Sequence, residues 1–181
     1  MKKDGIILLN KVKGISSFKA INQIKWNIGA SKIGHAGTLD PMAEGLMVVM
    51  VNSATKFSED LMKKDKEYYV EMELGYETDT YDAEGKKTKI YDGIIEYDEQ
   101  NVRDVINSFV GIQDQIPPMY SALKVNGRKM YEMAREGIEI ERKPRRVEIY
   151  SIRDITIKGK RITFYVEVSS GTYIRSLVRD I

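Results

Sequence analysis

Residues 66–74 alternate in polarity one position at a time. Tyr68, Val70, Met72 and Leu74 fall on one side and Tyr69, Glu71 and Glu73 on the other, the two-residue period of a half-buried strand. Around this segment strands and helices mix without a repeating strand–helix–strand unit. The residues therefore predict an α+β fold with a mixed, largely antiparallel sheet flanked by helices.

The other elements follow from local signals. Residues 5–10 read as a strand. Ser16 or Ser17 can cap a helix to about Ile28 that carries Phe18, Ile21, Ile24 and Ile28 and ends at Gly29. Residues 29–41 read as a loop and 45–51 as an apolar strand, and Ser53 opens a short helix bearing Phe57 and Leu61. Residues 75–85 are a polar, acidic loop. Asp98 can cap a helix to about Val110, and Pro117-Pro118 breaks the chain before an extended stretch over 119–125. Asn126-Gly127 is a hairpin-turn signal, followed by a helix over 129–136. Residues 147–157 and 161–168 form a hairpin across 158–160, and 169–172 lead into a helix near Tyr173. That helix reaches Ile181 without a cap or a following turn, so the chain reads as one cut partway through an element.

Cysteine is absent and histidine occurs once, which excludes disulfides, thiolate metal sites, cysteine nucleophiles and a histidine-rich metal cluster. At 181 residues, 42% hydrophobic and 31% charged, the chain suits one ordered domain. No apolar run nears the ~20 residues that span a bilayer and no leader is visible, so a cytoplasmic address without membrane contact is expected. Charge is unevenly spread. Residues 1–64 hold ten Lys/Arg against five Asp/Glu, residues 65–119 five against fourteen, and residues 120–161 twelve against six. Two basic blocks flanking an acidic one can build a polyanion-binding face, or simply a mixed solvated surface.

The chemistry concentrates in Gly34-His35-Ala36-Gly37-Thr38-Leu39-Asp40-Pro41. Glycine allows close approach to the main chain, and Pro41 pushes Asp40 toward an extended conformation. The loop should present one carboxylate in a defined direction, and Asp40 is the leading catalytic candidate, a nucleophile for glycosidic chemistry. The plain alternative is a common Asp-Pro turn. His35 can contact a base or a phosphate, or serve as a hydrogen-bonded structural residue. Tyr68 offers a stacking platform for a nucleobase, or cross-strand packing. In Ser169-Ser170-Gly171-Thr172-Tyr173-Ile174-Arg175 a strand end meets a helix start. Arg175 there can pair a carboxylate at two points and keep Asp40 ionised, or it can be a surface arginine behind a Ser/Thr cap. No phosphate-binding P-loop, dinucleotide fingerprint or zinc spacing occurs, and the acidic loop over 75–85 does not fit an EF-hand.

Several segments in order carry a resemblance. They are Lys11-Val12-Lys13-Gly14-Ile15-Ser16-Ser17, the 34–41 loop with Ala43-Glu44-Gly45-Leu46, and Lys66-Glu67-Tyr68. Leu74-Gly75-Tyr76-Glu77-Thr78-Asp79-Thr80, Asp82-Ala83-Glu84-Gly85 and Gln115-Ile116-Pro117-Pro118-Met119-Tyr120-Ser121-Ala122-Leu123-Lys124 come next. Tyr131-Glu132-Met133-Ala134-Arg135 and Gly171-Thr172-Tyr173-Ile174-Arg175 complete the set. Together they resemble the TruB family of tRNA pseudouridine synthases over nearly the whole length.

The resemblance implies a pseudouridine synthase fold and conversion of a T-loop uridine of tRNA to pseudouridine, with no metal or organic cofactor. The partner implied is the T arm of tRNA, with no protein partner, and the chain is expected to be a monomer. The family's invariant aspartate matches Asp40, and its Gly-His-X-Gly histidine, beside the flipped nucleotide, matches His35. The base-stacking tyrosine matches Tyr68. The Gly-Thr-Tyr-Ile-Arg motif matches Tyr173 and Arg175, the arginine pairing with the catalytic acid. Family members continue past the position of Ile181. The resemblance thus implies that residues 1–181 are a catalytic domain shortened at its C-terminus and lacking the small C-terminal RNA-binding domain.

Two other functions fit parts of the pattern. The basic blocks and Tyr68 would suffice for a non-catalytic RNA-binding or RNA-folding module. A carbohydrate hydrolase using Asp40 with Glu44 would need two carboxyls flanking a sugar, and no aromatic-rich sugar platform accompanies that pair.

Overall fold

The computed structural model describes residues 4–181, which divide into two compact units between Lys64 and Asp65. Residues 1–3, on which the reading of a leader-free start partly rests, lie outside the described residues.

In the first unit β1 (Gly5–Lys11), β2 (Ile33–His35) and β3 (Gly45–Val51) make an antiparallel sheet in the order β1-β3-β2. The central strand is an unbroken apolar run, exposed at Leu46 and covered on both faces toward its C-terminal end. Met47 and Val49 pack with Ile21 of helix α1 (Ser17–Asn27), and Met50 packs with Ala36 and Ala54 on the other side. Ser16 is the N-cap of α1, its hydroxyl accepting the Lys19 N–H at 3.2 Å, which satisfies one of the orphan donors of the first turn. A 3₁₀ turn (Asn52–Phe57) and α2 (Ser58–Met62) close the unit.

The second unit is built on β4 (Lys66–Glu73), β7 (Gly111–Gln115), β10 (Arg145–Lys158) and β11 (Arg161–Val168), antiparallel throughout in the order β4-β11-β10-β7. The alternation of 66–74 places Val70 and Met72 in the core with Phe164, Val166 and Ile149. Tyr69 and Tyr165, direct cross-strand partners, meet on the opposite face with their rings tilted 53° to each other and centroids 5.0 Å apart. Helix α3 (Glu99–Asn107) buries Ile106 and α5 (Ile174–Asp180) buries Leu177 against the core face. Asp98 caps α3 by accepting the Gln100 N–H at 3.0 Å. Two small hairpins stand apart from this sheet, β5 (Tyr76–Thr78) with β6 (Lys87–Ile90) and β8 (Lys124–Val125) with β9 (Arg128–Lys129), and α4 (Met130–Arg135) follows the second. The β8–β9 turn has Asn126 and Gly127 at φ 52° and 83°, the left-handed pair its sequence signals.

The structure corrects the sequence reading in five places. The 29–41 span contains β2, the loop over 75–85 begins with β5, and β6 and β7 were not expected. Of the 119–125 stretch only Lys124–Val125 is strand. Each is short or two-sided. β2 has three residues, and all four residues of β6 are exposed, so neither carries an apolar alternation.

Candidate active site

The first unit carries His35 and Asp40 on one loop. His35 ends β2 opposite Val49, and the Ala36 N–H donates to the Val48 carbonyl at 3.0 Å, carrying the ladder one residue further. The chain then turns at Gly37, whose φ of 152° is disfavoured for residues with a side chain. The His35 ring folds onto this turn, Nδ1 lying 2.7 Å from the Gly37 carbonyl. A carbonyl can only accept, so Nδ1 carries a proton and the ring's other nitrogen, Nε2, is left for a further contact.

Asp40 is half-buried, and its neighbours are fixed on both sides. Ser17 Oγ, at the start of α1, donates to the Leu39 carbonyl at 2.7 Å and accepts the Leu39 N–H at 2.9 Å. The Pro41 carbonyl accepts the Gly14 N–H at 2.9 Å and the Lys11 ammonium at 3.3 Å. Lys11 Nζ also donates to the carbonyls of Val12 at 3.0 Å and Ile15 at 2.9 Å. Its side chain is 1% exposed. A caged ammonium thus ties the 11–15 segment to the residue after the acid. The Asp40 carbonyl accepts the Ala43 N–H at 3.0 Å and completes the turn.

The second unit carries Tyr68, Tyr173 and Arg175. Tyr68 lies on the core-facing side of β4, opposite Val166, and is half-buried. Tyr173 is the N-cap of α5. Gln115, at the end of β7, brackets its backbone, Oε1 accepting the Tyr173 N–H at 2.8 Å and Nε2 donating to its carbonyl at 3.2 Å. Ser176 Oγ donates to the Ile116 carbonyl at 2.8 Å. The first turn of α5 is therefore registered against β7.

Within its unit the Arg175 guanidinium donates to the carbonyls of Thr80 at 2.7 Å and Tyr120 at 2.8 Å, and its Nη1 lies 3.6 Å from Asp82 Oδ2. Asp82 is organised by its own loop. Its Oδ1 accepts from Thr80 Oγ1 at 2.6 Å and from the Glu84 N–H at 3.1 Å, and its carbonyl accepts from Thr78 Oγ1 at 2.7 Å. A Cβ on Gly85 would come within 2.2 Å of Thr80 Oγ1, so only glycine allows this loop to close. Beside it Tyr81 has φ 60°, and its phenol oxygen accepts from Arg142 at 3.5 Å while the Arg179 guanidinium lies 4.7 Å over its ring. Burial pushes the Tyr81 phenol up, but hydrogen bonds from Arg142 and Arg179, with their charges, bring it below its ordinary value.

Sequence reasoning missed Ser17 as a brace, Gln115 and Asp82. The 78–85 loop gave a signal, since Asp79 and Asp82 lie among Thr78, Thr80 and Gly85, a pattern suited to local side-chain-to-backbone bonds. Among the described residues no cluster of three or more His, Asp or Glu is arranged to hold a metal ion, and no helix is long and apolar enough to cross a membrane.

The geometry comprises a carboxylate on a braced glycine–proline turn, a tyrosine on a sheet and an arginine held at a helix start. The sequence pattern of the family described as "TruB family pseudouridylate synthase (N terminal domain)" matches residues 25–174. The chain belongs to this family. The tRNA pseudouridine synthase B of Fusobacterium nucleatum is 48% identical over 178 residues, and that of Aquifex aeolicus 42% identical over 180 residues; each match covers 98% of this chain. The chain spans 61% and 62% of those two relatives. Among solved structures, one titled as a Cbf5-Nop10-Gar1 complex superimposes with a TM-score of 0.73 at 30% identity, over 97% of this chain and 43% of that one. Another, titled as an H/ACA RNP bound to a substrate RNA containing 2′-deoxyuridine, gives 0.68 at 27% identity, over 97% of this chain and 41% of that one. TruB membership and these neighbours agree with the α+β pseudouridine synthase fold expected from the sequence.

Proposed function

We propose that this chain is the catalytic portion of a tRNA pseudouridine synthase, isomerising a T-loop uridine with Asp40 as nucleophile. The observation that carries this reading is the family match across residues 25–174, which takes in a loop where a carboxylate is braced from both neighbours. The target base must leave the helical stack before its glycosidic bond can be reached, at a cost of a few kcal/mol. In this reading Tyr68 stacks on the extruded ring, His35 lies beside the flipped nucleotide, and Tyr173 and Arg175 complete the pocket, Arg175 pairing with Asp40. The N1–C1′ bond breaks, the uracil turns, and C5 bonds to C1′. C5 gives up its proton and N1 gains one, so the product is an isomer and no redox partner or cofactor is consumed. In this reading that pairing favours the ionised form of Asp40, which suits a nucleophile.

The test is pseudouridine formation on a T-arm RNA by the parent protein and by Asp40→Asn. Activity lost in the variant with RNA affinity retained is the expected result. Equal product from both removes Asp40 from the role. RNA binding by a parent that forms no pseudouridine would favour a non-catalytic RNA-binding module.

A further inference from the structure

Helix α1 has two opposite faces. Ala20, Ile21 and Ile24 turn inward to the core of the first unit. Phe18 and Trp26 lie on the other side and are 70% and 83% exposed. Positions 18, 22 and 26 are successive i, i+4 neighbours, so these two aromatics share one stripe with Asn22, and Lys19 and Lys25 flank it. A tryptophan gains much from burial, and one left outside on the same helix stripe as a second exposed aromatic marks a surface that something covers.

The charge around the stripe says what kind of partner fits. No Asp or Glu occurs between Asp4 and Asp40, a span holding Lys11, Lys13, Lys19, Lys25 and Lys32. Lys11 is consumed internally by its carbonyl cage; Lys13, Lys19 and Lys32 are exposed and Lys25 is half-exposed. Lys13 lies 3.9 Å from the Glu44 carboxylate, but α1 itself bears no acidic residue, and a helix face that presents aromatic rings flanked by ammonium groups has the composition of a strand-binding platform, on which bases stack and phosphates meet cations. The same helix is joined to the Asp40 loop through Ser17 and Leu39, so a strand lying along α1 approaches that loop from its own unit.

We infer that the outer face of α1 is a second RNA-contacting surface, where Trp26 stacks on an unpaired base and Lys19 and Lys25 neutralise the phosphates beside it. This inference rests on the reading that the chain acts on RNA.

Trp26 is the sole tryptophan, so the protein's own emission reports on it. Titration with an unmodified tRNA transcript at low salt is expected to quench that emission and shield it from acrylamide, and added salt should reverse both. Trp26→Ala should weaken tRNA binding by roughly 5- to 100-fold, whereas Trp26→Phe should keep most of the affinity. Lys19→Ala and Lys25→Ala should each lower the salt slope of binding by about 0.7. At such exposed positions these variants should fold like the parent, which circular dichroism checks. Pseudouridine is counted in the same samples. Product formed while Trp26 stays unquenched and acrylamide-accessible overturns the inference and leaves the proposed function standing, and quenching without product does the reverse. Absence of both overturns both. Quenching that depends on protein concentration without RNA would assign the face to self-association and overturn the inference.

Discussion

Ser17 and Leu39 are joined by a reciprocal pair of hydrogen bonds, one hydroxyl serving as donor to the Leu39 carbonyl and acceptor from its N–H. The pair links the start of α1 to the residue immediately before Asp40, and Ser17 is only 3% exposed. Water therefore cannot easily replace the hydroxyl.

Ser17→Ala leaves a carbonyl and an N–H without their partner. A loss of about 1–3 kcal/mol of stability is expected, read from the urea midpoint. If Asp40 is the reacting group, as proposed, small displacements of it are costly in rate, so kcat for the proposed uridine isomerisation should fall roughly tenfold to a hundredfold while KM changes little. An unchanged kcat would show that the turn holds Asp40 without this brace.

Lys11 offers a second test of the same loop. Its buried ammonium donates to three carbonyls, and only that of Pro41 has another described donor, Gly14. Lys11→Met keeps the volume of the stem and removes the donors. It should cost about 2–3 kcal/mol, since hydrogen bonds from charged groups exceed neutral ones. Lys11→Arg should not rescue, because a planar fork does not fit a cage built for a compact ammonium. Equilibrium unfolding of the three proteins decides.

These braces mark where sequence reading stops. Alternation gave the core face of β4, the apolar run gave β3, and Asp98 and Asn126-Gly127 gave a cap and a turn, because each signal lies within a few residues of what it specifies. His35, Asp40, Tyr68, Tyr173 and Arg175 were named through the ordered motifs, since taken singly each has an ordinary structural explanation. Gln115 on Tyr173 and Asp82 beside Arg175 are contacts across long stretches of chain. No local periodicity encodes such contacts. The strands β2 and β6 exist because longer neighbours pair with them or a loop closes them, not because their own residues demand it.

Asp82→Asn separates charge from shape in the loop that faces Arg175. The amide retains an oxygen for Thr80 Oγ1 and the Glu84 N–H but removes the negative charge 3.6 Å from Arg175 Nη1. Both side chains are nearly buried, at 12% and 11% exposure, so solvent screens the pair weakly. The fold should survive, with a thermal midpoint within a few degrees of the parent's, while kcat drops roughly tenfold or more. Unaltered turnover would confine Asp82 to shaping its own loop.

Tyr81 gives a pH signature. Burial raises its phenol, and the hydrogen bonds and charges of Arg142 and Arg179 outweigh that and bring it below the ordinary 10.0. The native state therefore releases this proton more readily than the unfolded chain. Ionised Tyr81 contributes stability that is fully present above the unfolded value and is lost as pH falls through the native one. Phenolate absorbance near 295 nm should begin to rise at lower pH in the parent than in Tyr81→Phe. The difference in unfolding free energy between the two should be flat at neutral pH and widen toward pH 10, with the parent gaining. Superimposable titrations would mean that the two arginines do not hold the phenolate, and a gap that narrows with rising pH would reverse the sign of the argument.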